Sequence, residues 1–291
     1  MWRKEVIQED KIKVSINRVK KEYDLDYFKA DRAIITAPFG QKYFNQTIKR
    51  LTDSKAVNKL AKKNKILVII VTSKETKLAE YPRWLKVILI DEIPNWLPGN
   101  TYQNRFIKWA IPLLFKNIRS SIWLDSDVII TNRSLKLEKL FSRIEKHKFI
   151  ITKHSSRQSW LDEYEAIIKL RRCLHPEKVE KQKDFFESVS LPFDIPVVQS
   201  KVMGRAHNSD FEALYLEVLS QIFRFSERDQ LGIIYAMFKT KLRPVILQEG
   251  TMLYTYYSKQ INMSSVCFVE TNSRMGYWYQ DYRRFWIRML F

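Results

Sequence analysis

The segment Arg119–Thr131 reads RSSIWLDSDVIIT, and its mixture of apolar and acidic residues decides the fold. An apolar run, Ile122–Leu124, ends at an Asp-Ser-Asp triplet and resumes at Val128. Apolar runs of this kind beside β-branched residues are typical of buried strands. A carboxylate inside a buried strand is costly unless it is paired or binds a cation. The segment therefore predicts a strand that ends at Leu124 and brings two carboxylates to the carboxyl edge of a sheet.

The two aspartates of the triplet, Asp125 and Asp127, are candidate ligands for a divalent cation. Alternate residues of an extended segment point to the same side, so both carboxylates can face one site. Mg2+ and Mn2+ prefer oxygen ligands of this kind. The same D-x-D pattern also fits an acidic turn between two strands, so the motif alone leaves both interpretations open.

Strand and helix patterns alternate along the chain before this motif. Alternation of this kind is typical of a mostly parallel sheet flanked by helices. In open α/β sheets, nucleotides bind at the carboxyl ends of the strands, so the turn Pro38-Phe39-Gly40 after the first strand is a candidate nucleotide site. The predicted strands are Arg32–Ala37, Ile66–Val71 and Leu85–Ile90, and the predicted helices cover roughly Tyr43–Lys63 and Thr101–Phe115.

The 291 residues suit one large domain, or a domain with an extension. Residues 1–30 are charged and predict a helical N-terminal extension, and residues 31–291 form the main domain. The C-terminal segment Arg274–Phe291 is basic, with aromatic residues at helical spacing. This pattern fits either packing against the main domain or binding to an anionic membrane surface.

The formal net charge of +19 predicts anionic partners such as phosphates, acidic glycans or anionic lipids. Nucleic acid is not expected, because the lysines are spread along the chain and no nucleic-acid-binding motif is present. Two cysteines exclude a disulfide framework. No apolar stretch follows Met1, and the longest apolar run is too short to span a membrane. These features predict a cytoplasmic protein, with peripheral contact at the inner face of the membrane as an option.

The order of motifs in residues 101–127, TYxxRF, then IPLLF, then SIWLDSD, resembles GT-A nucleotide-sugar glycosyltransferases, including the glycogenin-like retaining group. A second and more specific resemblance covers about two-thirds of the chain. It is to a glycosyltransferase-like family, formerly a domain of unknown function, that includes plant mucilage-related hexosyltransferases. Its landmarks occur here in order: TAxFG at 36–40, SIWLDS at 121–126, His154 with Arg157, RAH at 205–207 and ERDQL at 227–231.

These resemblances imply a GT-A fold, which is Rossmann-like, with a mixed and mostly parallel central sheet. They imply a metal–diphosphate site at Asp125 and Asp127, with His207 as a further metal ligand, and a catalytic role for Asp229 and Asp127. Plant members often lack the second acidic residue, so Asp127 makes this chain more like a metal-dependent enzyme. The implied nucleotide-sugar-binding residues are Thr36, Ala37, Phe39, Arg105, Asp125, Ser126, His154, Arg157, Arg205 and Arg228.

Several of these residues also have a simpler explanation. Arg105 fits a solvent-exposed helix arginine, and His207 fits a hydrogen-bonded structural histidine at a strand end. Asp229 fits a helix cap, because Ser226-x-x-Asp229 is a capping pattern. His154 and Arg157 could bind either the acceptor or the diphosphate. Arginine is well shaped for bidentate contact with phosphate.

The sequence thus predicts a glycosyltransferase that uses Mn2+ or Mg2+. It would move a hexose-type sugar from a nucleoside diphosphate sugar, of the UDP or GDP type, to a glycan or lipid-linked acceptor. The alternative is a non-catalytic protein that binds glycan or phosphate on the same scaffold. A ceramidase-type hydrolase has no support, because neither a nucleophile elbow nor zinc-ligand spacing is present.

Overall fold

The computed structural model describes residues 2–78, 80–91, 99–128, 134–207 and 209–247. Within them a seven-stranded β-sheet is covered by helices on both faces. The strands are β1 (Ala30–Thr36), β2 (Leu67–Ser73), β3 (Leu85–Ile90), β4 (Ile118–Leu124), β5 (Phe149–Lys153), β6 (Val198–Ala206) and β7 (Val245–Leu247). The helices are α1 (Trp2–Glu22), α2 (Gln41–Asp53), α3 (Lys55–Lys62), α4 (Asn100–Leu114), α5 (Ser134–His147), α6 (Trp160–Lys169), α7 (Pro176–Ser188), α8 (Glu212–Arg224) and α9 (Asp229–Thr240).

The strands lie in the order β3-β2-β1-β4-β6-β5-β7. Strand β6 runs antiparallel to both of its neighbours, β4 and β5, and the other strand pairs are parallel. The predicted mixed, mostly parallel sheet flanked by helices is therefore confirmed. Strand β7 was not predicted, because three residues at the edge of the sheet are too short to show a period.

Alternate residues of the central strands divide the core into two layers. Ile34 of β1 and Ile122 of β4 lie in the layer that α2, α3 and α5 cover. Ile35 and Trp123, the next residues along, lie in the larger layer beneath α1, α4 and α6–α9. Both faces are buried, which explains why these strands read as continuous apolar runs.

The helix predicted within residues 1–30 is present as α1, and it packs on the main core. Ile12, Ile16 and Val19 are spaced along one face of α1 and are buried in the larger layer. The helix predicted over Tyr43–Lys63 is instead two helices. Ser54 separates them, because its hydroxyl oxygen caps α3 by accepting the N–H of Val57 at 3.4 Å.

The carboxyl ends of β1 and β4 and the first half of β6 meet at one edge of the sheet. Leu124 is paired with Val202, and the N–H of Asp125 donates to the carbonyl of Lys201 at 2.9 Å. Among the described helices, none is both long and apolar enough to cross a membrane. The C-terminal segment Arg274–Phe291 lies outside the described residues, so the choice between packing and membrane binding stays a prediction.

Candidate active site

Helix α4 carries two basic residues, Arg105 and Lys108, to the edge where β4 ends. They are three positions apart and therefore share one helix face. The ammonium nitrogen of Lys108 lies 3.1 Å from Oδ1 of Asp125 and 3.0 Å from Oδ2 of Asp229, and it donates to Oγ of Ser200 at 2.9 Å. The Lys108 side chain is only 1% exposed. A buried cation thus joins the D-x-D motif to Asp229.

Asp229 is the first residue of α9, and its carboxylate contacts other elements of the fold. Its Oδ2 accepts hydrogen bonds from Nε1 of Trp109 at 3.1 Å and from Oγ of Ser200 at 2.8 Å. Its Oδ1 lies 3.6 Å from Nε of Arg105. No side-chain cap is formed at the start of α9. Asp229 is therefore part of the site, and the simpler interpretation as a helix cap does not hold.

The charges at this site are buried and mutually compensated. Burial raises the pKa of Asp229, but Arg105 and Lys108 lower it by more, so the pKa lies well below its usual range. Burial lowers the pKa of Lys108, whereas Asp125 and Asp229 oppose that change. Asp229 is consequently a carboxylate at neutral pH and a weak acceptor of protons.

The two carboxylates of the D-x-D motif each face an ammonium group. Oδ1 of Asp125 accepts a hydrogen bond from Nε1 of Trp123 at 2.7 Å as well as from Lys108 at 3.1 Å. Oδ2 of Asp127 accepts one from Nζ of Lys201 at 2.8 Å. The side chains are 16% and 24% exposed, respectively. Both carboxylates are therefore fixed in place and still reachable from solvent.

The loop between the two aspartates is tied to the helix α2. The carbonyl of Ser126 accepts hydrogen bonds from the hydroxyl of Thr47 and from the guanidinium of Arg50. Both donors lie on α2, which follows β1. The structure thus brings Ser126 to the edge where the sequence predicts nucleotide binding.

The remaining oxygens of the D-x-D motif are suited to a divalent cation. Oδ2 of Asp125 and Oδ1 of Asp127 accept no hydrogen bond from the described residues. The described residues include no group of three or more acidic, histidine or cysteine side chains that could hold a metal. Mg2+ is commonly bound by one or two carboxylates together with substrate phosphates and water. The donor set fits a cation that arrives with a diphosphate.

The predicted nucleotide residues Thr36, Ala37 and Phe39 lie at the carboxyl end of β1, beside β4. The carbonyl of Ala37 accepts a hydrogen bond from Nδ2 of Asn104 at 2.7 Å, which ties this turn to α4. Ala37 and Phe39 are buried in the core, so the turn can offer a ligand its backbone but not these side chains. The hydroxyl of Thr36 is buried and has no hydrogen-bond partner among the described residues.

The structure does not bring His207 to the two aspartates. Because β6 is antiparallel to β4, the five residue steps from Val202 to His207 lead away from the site by about 17 Å. The ring of His207 is hydrogen-bonded to the carbonyl of Phe115 at 2.7 Å and to Oγ of Ser121 at 2.8 Å. Burial lowers its pKa to about 3. The prediction that His207 is a metal ligand is wrong, and its role is structural.

Arg205 is also misassigned as a nucleotide-sugar-binding residue, because it is fully buried. Its Nη1 donates to the carbonyl of Lys108 at 2.6 Å, and its guanidinium lies over the rings of Trp109 and Tyr215. Burial lowers its pKa to about 10. Arg205 therefore acts on the site only through α4, by holding the backbone at Lys108.

The other predicted residues, His154, Arg157 and Arg228, lie around Glu163 of α6, next to the start of α9. Arg157 forms an ion pair with the buried Glu163, and Nη2 of Arg228 lies 3.8 Å from Oε1 of the same carboxylate. His154 is held at the end of β5, where its N–H donates to the carbonyl of Val197 at 2.9 Å. Arg172 also interacts electrostatically with Glu163.

Sequence reasoning missed the five side chains that contact the carboxylates of the site: Lys108, Trp109, Trp123, Ser200 and Lys201. Lys108 could have been found, since it lies on the same helix face as Arg105 and a lysine within the apolar stretch Phe106–Leu114 needs a partner. Trp109 and Ser200 gave no local signal, because they meet Asp229 only through packing between distant segments.

A comparison with known protein families gives the class of the chain. Residues 59–266 match the family model "TOD1/MUCI70, glycosyltransferase-like domain". The class of this protein is therefore glycosyltransferase-like, and the chain belongs to the TOD1/MUCI70 family. No curated protein sequence matches the chain.

Two solved structures have a similar chain path. One is the galactosyltransferase LgtC in complex with donor and acceptor sugar analogues, at 10% identity and a TM-score of 0.48, over 84% of this chain and 87% of that chain. The other is the apo form of mouse xyloside xylosyltransferase 1, at 12% identity and a TM-score of 0.40, over 76% of this chain and 85% of that chain.

Proposed function

We propose that the protein is a metal-dependent GT-A glycosyltransferase that transfers a hexose-type sugar from a UDP or GDP sugar to a glycan or lipid-linked acceptor. One observation carries the proposal: Lys108 joins Asp125 to Asp229 at the carboxyl edge of the sheet. Buried carboxylates with opposed charges beside them are typical of catalytic sites. The family to which the chain belongs gives the reaction class.

The donor would extend along the edge from β1 to β4. Its nucleotide would lie against the turn after Thr36, and its diphosphate would lie beside Asp125 and Arg105, whose Oδ1 and Nη1 are 4.0 Å apart. The Arg105 side chain is 18% exposed, whereas that of Lys108 is 1% exposed, so a diphosphate can contact Arg105 directly. Guanidinium groups bind phosphate oxygens in a bidentate manner, which orients the diphosphate as well as attracting it.

Mn2+ or Mg2+ would be held by the remaining oxygens of Asp125 and Asp127. A divalent cation there would supply Lewis-acid stabilisation of the leaving diphosphate. In the protein itself, Lys108 and Lys201 balance the two carboxylates. Cation affinity without nucleotide is therefore expected to be weak, because the local charge is already compensated.

Asp229 would orient the reacting groups rather than accept a proton. Both of its oxygens face donors, and its pKa lies well below its usual range because Arg105 and Lys108 outweigh the effect of burial. A general base works best with a pKa near the operating pH. A carboxylate paired with Arg105 and Lys108 is suited to orienting these two cations toward the leaving diphosphate, and the lack of a general base at this position favours a retaining reaction.

The test is a calorimetric titration of the protein with UDP and with GDP, each with and without Mn2+. Nucleotide binding that strengthens with Mn2+ is the expected result. The absence of any metal-dependent nucleotide binding in a folded preparation would overturn the proposal. Slow hydrolysis of the corresponding nucleotide sugar separates an enzyme from a binding protein. A protein that binds the nucleotide sugar and neither hydrolyses nor transfers it would support the non-catalytic alternative.

A further inference from the structure

The helices that cover one face of the sheet, α2, α3 and α5, carry more than half of the formal net charge of +19. Residues 41–65 and 134–148, which contain these helices, hold thirteen lysines and arginines and only three acids. Residues 160–243, which contain α6–α9 on the opposite face, hold thirteen of each sign. The lysines are spread along the sequence, but the fold concentrates their charge on one side of the molecule.

Two rows of exposed cations lie on the outer surfaces of α3 and α5. In each row a spacing of four and then three positions places the side chains on one helix face. The opposite faces of the same helices are buried against the sheet through residues such as Val57 and Ile144. The two rows together are called the basic face below, and their members are Lys55, Lys59 and Lys62 on α3 and Lys139, Arg143 and Lys146 on α5.

The acids on the same helices do not neutralise the basic face. Glu138 lies 3.3 Å from Nζ of Lys65, and Glu145 lies 3.1 Å from Nη2 of Arg32, so both are already paired. The third acid, Asp53, is exposed at the end of α2. Within the part of the chain that the structure describes, none of the six cations forms an ion pair.

The segments beside these helices do not supply the missing negative charge either. Residues 74–86, which include Trp84 packed on the same core layer, carry four cations and two acids. Asp127, in the loop that α2 holds, is paired with Nζ of Lys201 at 2.8 Å. The outer surface of α3 and α5 therefore has a positive potential, which attracts an anionic partner.

The composition of this surface indicates a partner that is recognised by charge alone. Among the described residues of α2, α3 and α5, Tyr43 is the one large apolar side chain that is exposed, and it lies in the first turn of α2. Stable protein partners bury an apolar centre, and single-stranded nucleic acids stack their bases on aromatic rings. The basic face offers neither feature.

The two rows extend in two dimensions, which suits a flat anionic surface. Each row covers seven residue steps of helix, about 10 Å, and the axes of packed helices such as α3 and α5 are roughly 8–10 Å apart. A single polymer strand would follow one row, whereas a lipid bilayer contacts both rows at once. Anionic headgroups attract clustered lysines and arginines without a membrane-spanning segment.

We propose that the basic face is the docking surface for a membrane that contains anionic lipids. The docked face adjoins the edge that carries the site, because α2 begins directly after the turn at the carboxyl end of β1. Thr47 and Arg50 of the same helix bond the carbonyl of Ser126 in the D-x-D motif. The inference concerns a surface outside the site and does not depend on the proposed transferase activity.

The experiment is cosedimentation of the full chain with lipid vesicles in the absence of nucleotide. One set of vesicles is phosphatidylcholine alone, and the other contains about 30% phosphatidylglycerol, which creates a negative surface potential. At low salt we expect an affinity about tenfold or more higher for the anionic vesicles. Most of this difference should disappear at high salt, because salt screens exposed charges. Equal binding to both sets of vesicles would overturn the inference.

A charge-reversal variant connects the binding to the basic face. Lys59→Glu/Arg143→Glu reverses one cation in each row. Its affinity for anionic vesicles should fall by about tenfold or more, since each cation near such a surface strengthens binding roughly fivefold. The control, Lys169→Glu/Lys181→Glu, makes the same change in net charge at exposed positions of α6 and α7. It should bind within about threefold of wild type.

Two results with these variants would contradict the assignment. Binding that survives Lys59→Glu/Arg143→Glu would place the lipid contact elsewhere in the chain. An equal loss in the control variant would show that net charge alone is responsible. Circular dichroism verifies that both variants are folded, as expected for substitutions at exposed positions.

Competition with duplex DNA distinguishes a membrane from a nucleic acid. DNA that binds the wild type more tightly than anionic vesicles do, and that loses affinity in Lys59→Glu/Arg143→Glu, would assign the basic face to nucleic acid and overturn the inference. Because vesicle binding is measured without nucleotide, failure of the nucleotide titration would overturn the transferase proposal and leave the membrane result unchanged.

Discussion

The ammonium nitrogen of Lys108 lies 3.0 Å from Oδ2 of Asp229, and the two side chains are only 1% and 2% exposed. Helix α4 supplies the cation and the first turn of α9 supplies the anion. Ser200 of β6 bonds to both groups, so three distant segments of the chain meet at this pair. A buried pair of this kind adds little net stability over apolar residues, but losing one partner is costly. The pair therefore fixes the geometry of the site.

Lys108→Met should destabilise the fold by about 3–5 kcal/mol, because Asp229 would remain buried with its compensation reduced. Urea unfolding monitored by circular dichroism measures this change. The double variant Lys108→Met/Asp229→Asn should cost less than the sum of the two single variants. The control is Lys65→Met in the exposed pair with Glu138, where a loss below about 1 kcal/mol is expected. Additive single effects would show that the Lys108–Asp229 pair is not coupled.

The sequence predicts the sheet well because its central strands are buried on both faces. Runs such as Ile66–Val71 and Leu85–Ile90 carry that burial in their own composition. The acidic triplet after Leu124 likewise marks the edge of the sheet by itself. These features are local, so no knowledge of strand pairing is needed to find them.

The errors in the site have a single physical origin, which is the reversed direction of β6. A parallel β6 would place Arg205, near its end, and His207, just after it, at the edge with Asp125. Because β6 is antiparallel to β4, its first half lies there instead, and Ser200 and Lys201 contact the carboxylates. Strand direction depends on long-range pairing, which local sequence patterns do not contain.

The free energy of unfolding should fall as the pH is lowered from about 6.5 to about 3. Burial is the main cause of the low pKa of about 3 at both His154 and His207, so the unfolded chain binds protons in this range and the folded chain does not. Each histidine therefore contributes stability above pH 6.5 that is lost as the pH falls, with a slope of about 1.4 kcal/mol per pH unit. His207→Gln should lower the slope of the unfolding free energy against pH by about 1.4 kcal/mol per pH unit, because one of the two titrating histidines is lost. An unchanged slope would contradict the burial of this ring as a neutral group.

The same variant tests the corrected role of His207. His207→Gln should lower stability by about 1–3 kcal/mol, because the hydrogen bonds to Phe115 and Ser121 are perturbed in a buried site. Its Mn2+-dependent nucleotide affinity should equal that of the wild type. A large loss of Mn2+ dependence in a folded variant would restore His207 as a metal ligand.

Asp127→Ala should weaken Mn2+-dependent nucleotide binding by about tenfold or more while leaving the fold intact. Asp127 is 24% exposed in the turn after β4, so its removal leaves no buried cavity. The matched control is Asp53→Ala, which removes an exposed acid on α2. Calorimetry with and without Mn2+ gives both affinities. Unchanged Mn2+ dependence in Asp127→Ala would show that the second aspartate holds no cation.

Asp229→Asn tests how the carboxylate at the centre of the site acts. The side chain keeps its shape and an acceptor oxygen for Trp109 or Ser200, but it loses its charge toward Arg105 and Lys108. We expect donor binding within about threefold of wild type and transfer reduced by about a hundredfold or more, which is the scale on which one preorganised electrostatic group acts in the transition state. Near wild-type transfer would show that Asp229 only positions Lys108.

The stereochemistry of the product separates the two catalytic roles of Asp229. A general base in an inverting reaction would titrate in the pH–rate profile and would give the inverted anomer. Since Arg105 and Lys108 outweigh burial and keep the pKa of Asp229 low, we expect no loss of rate from protonation of Asp229 above pH 5, and a product that retains the anomeric configuration of the donor. NMR of the freshly formed product reads the anomer directly. An inverted product would require a general base within reach of the acceptor hydroxyl. Asp229 could serve as that base only if its carboxylate released its present hydrogen bonds and ion pairs.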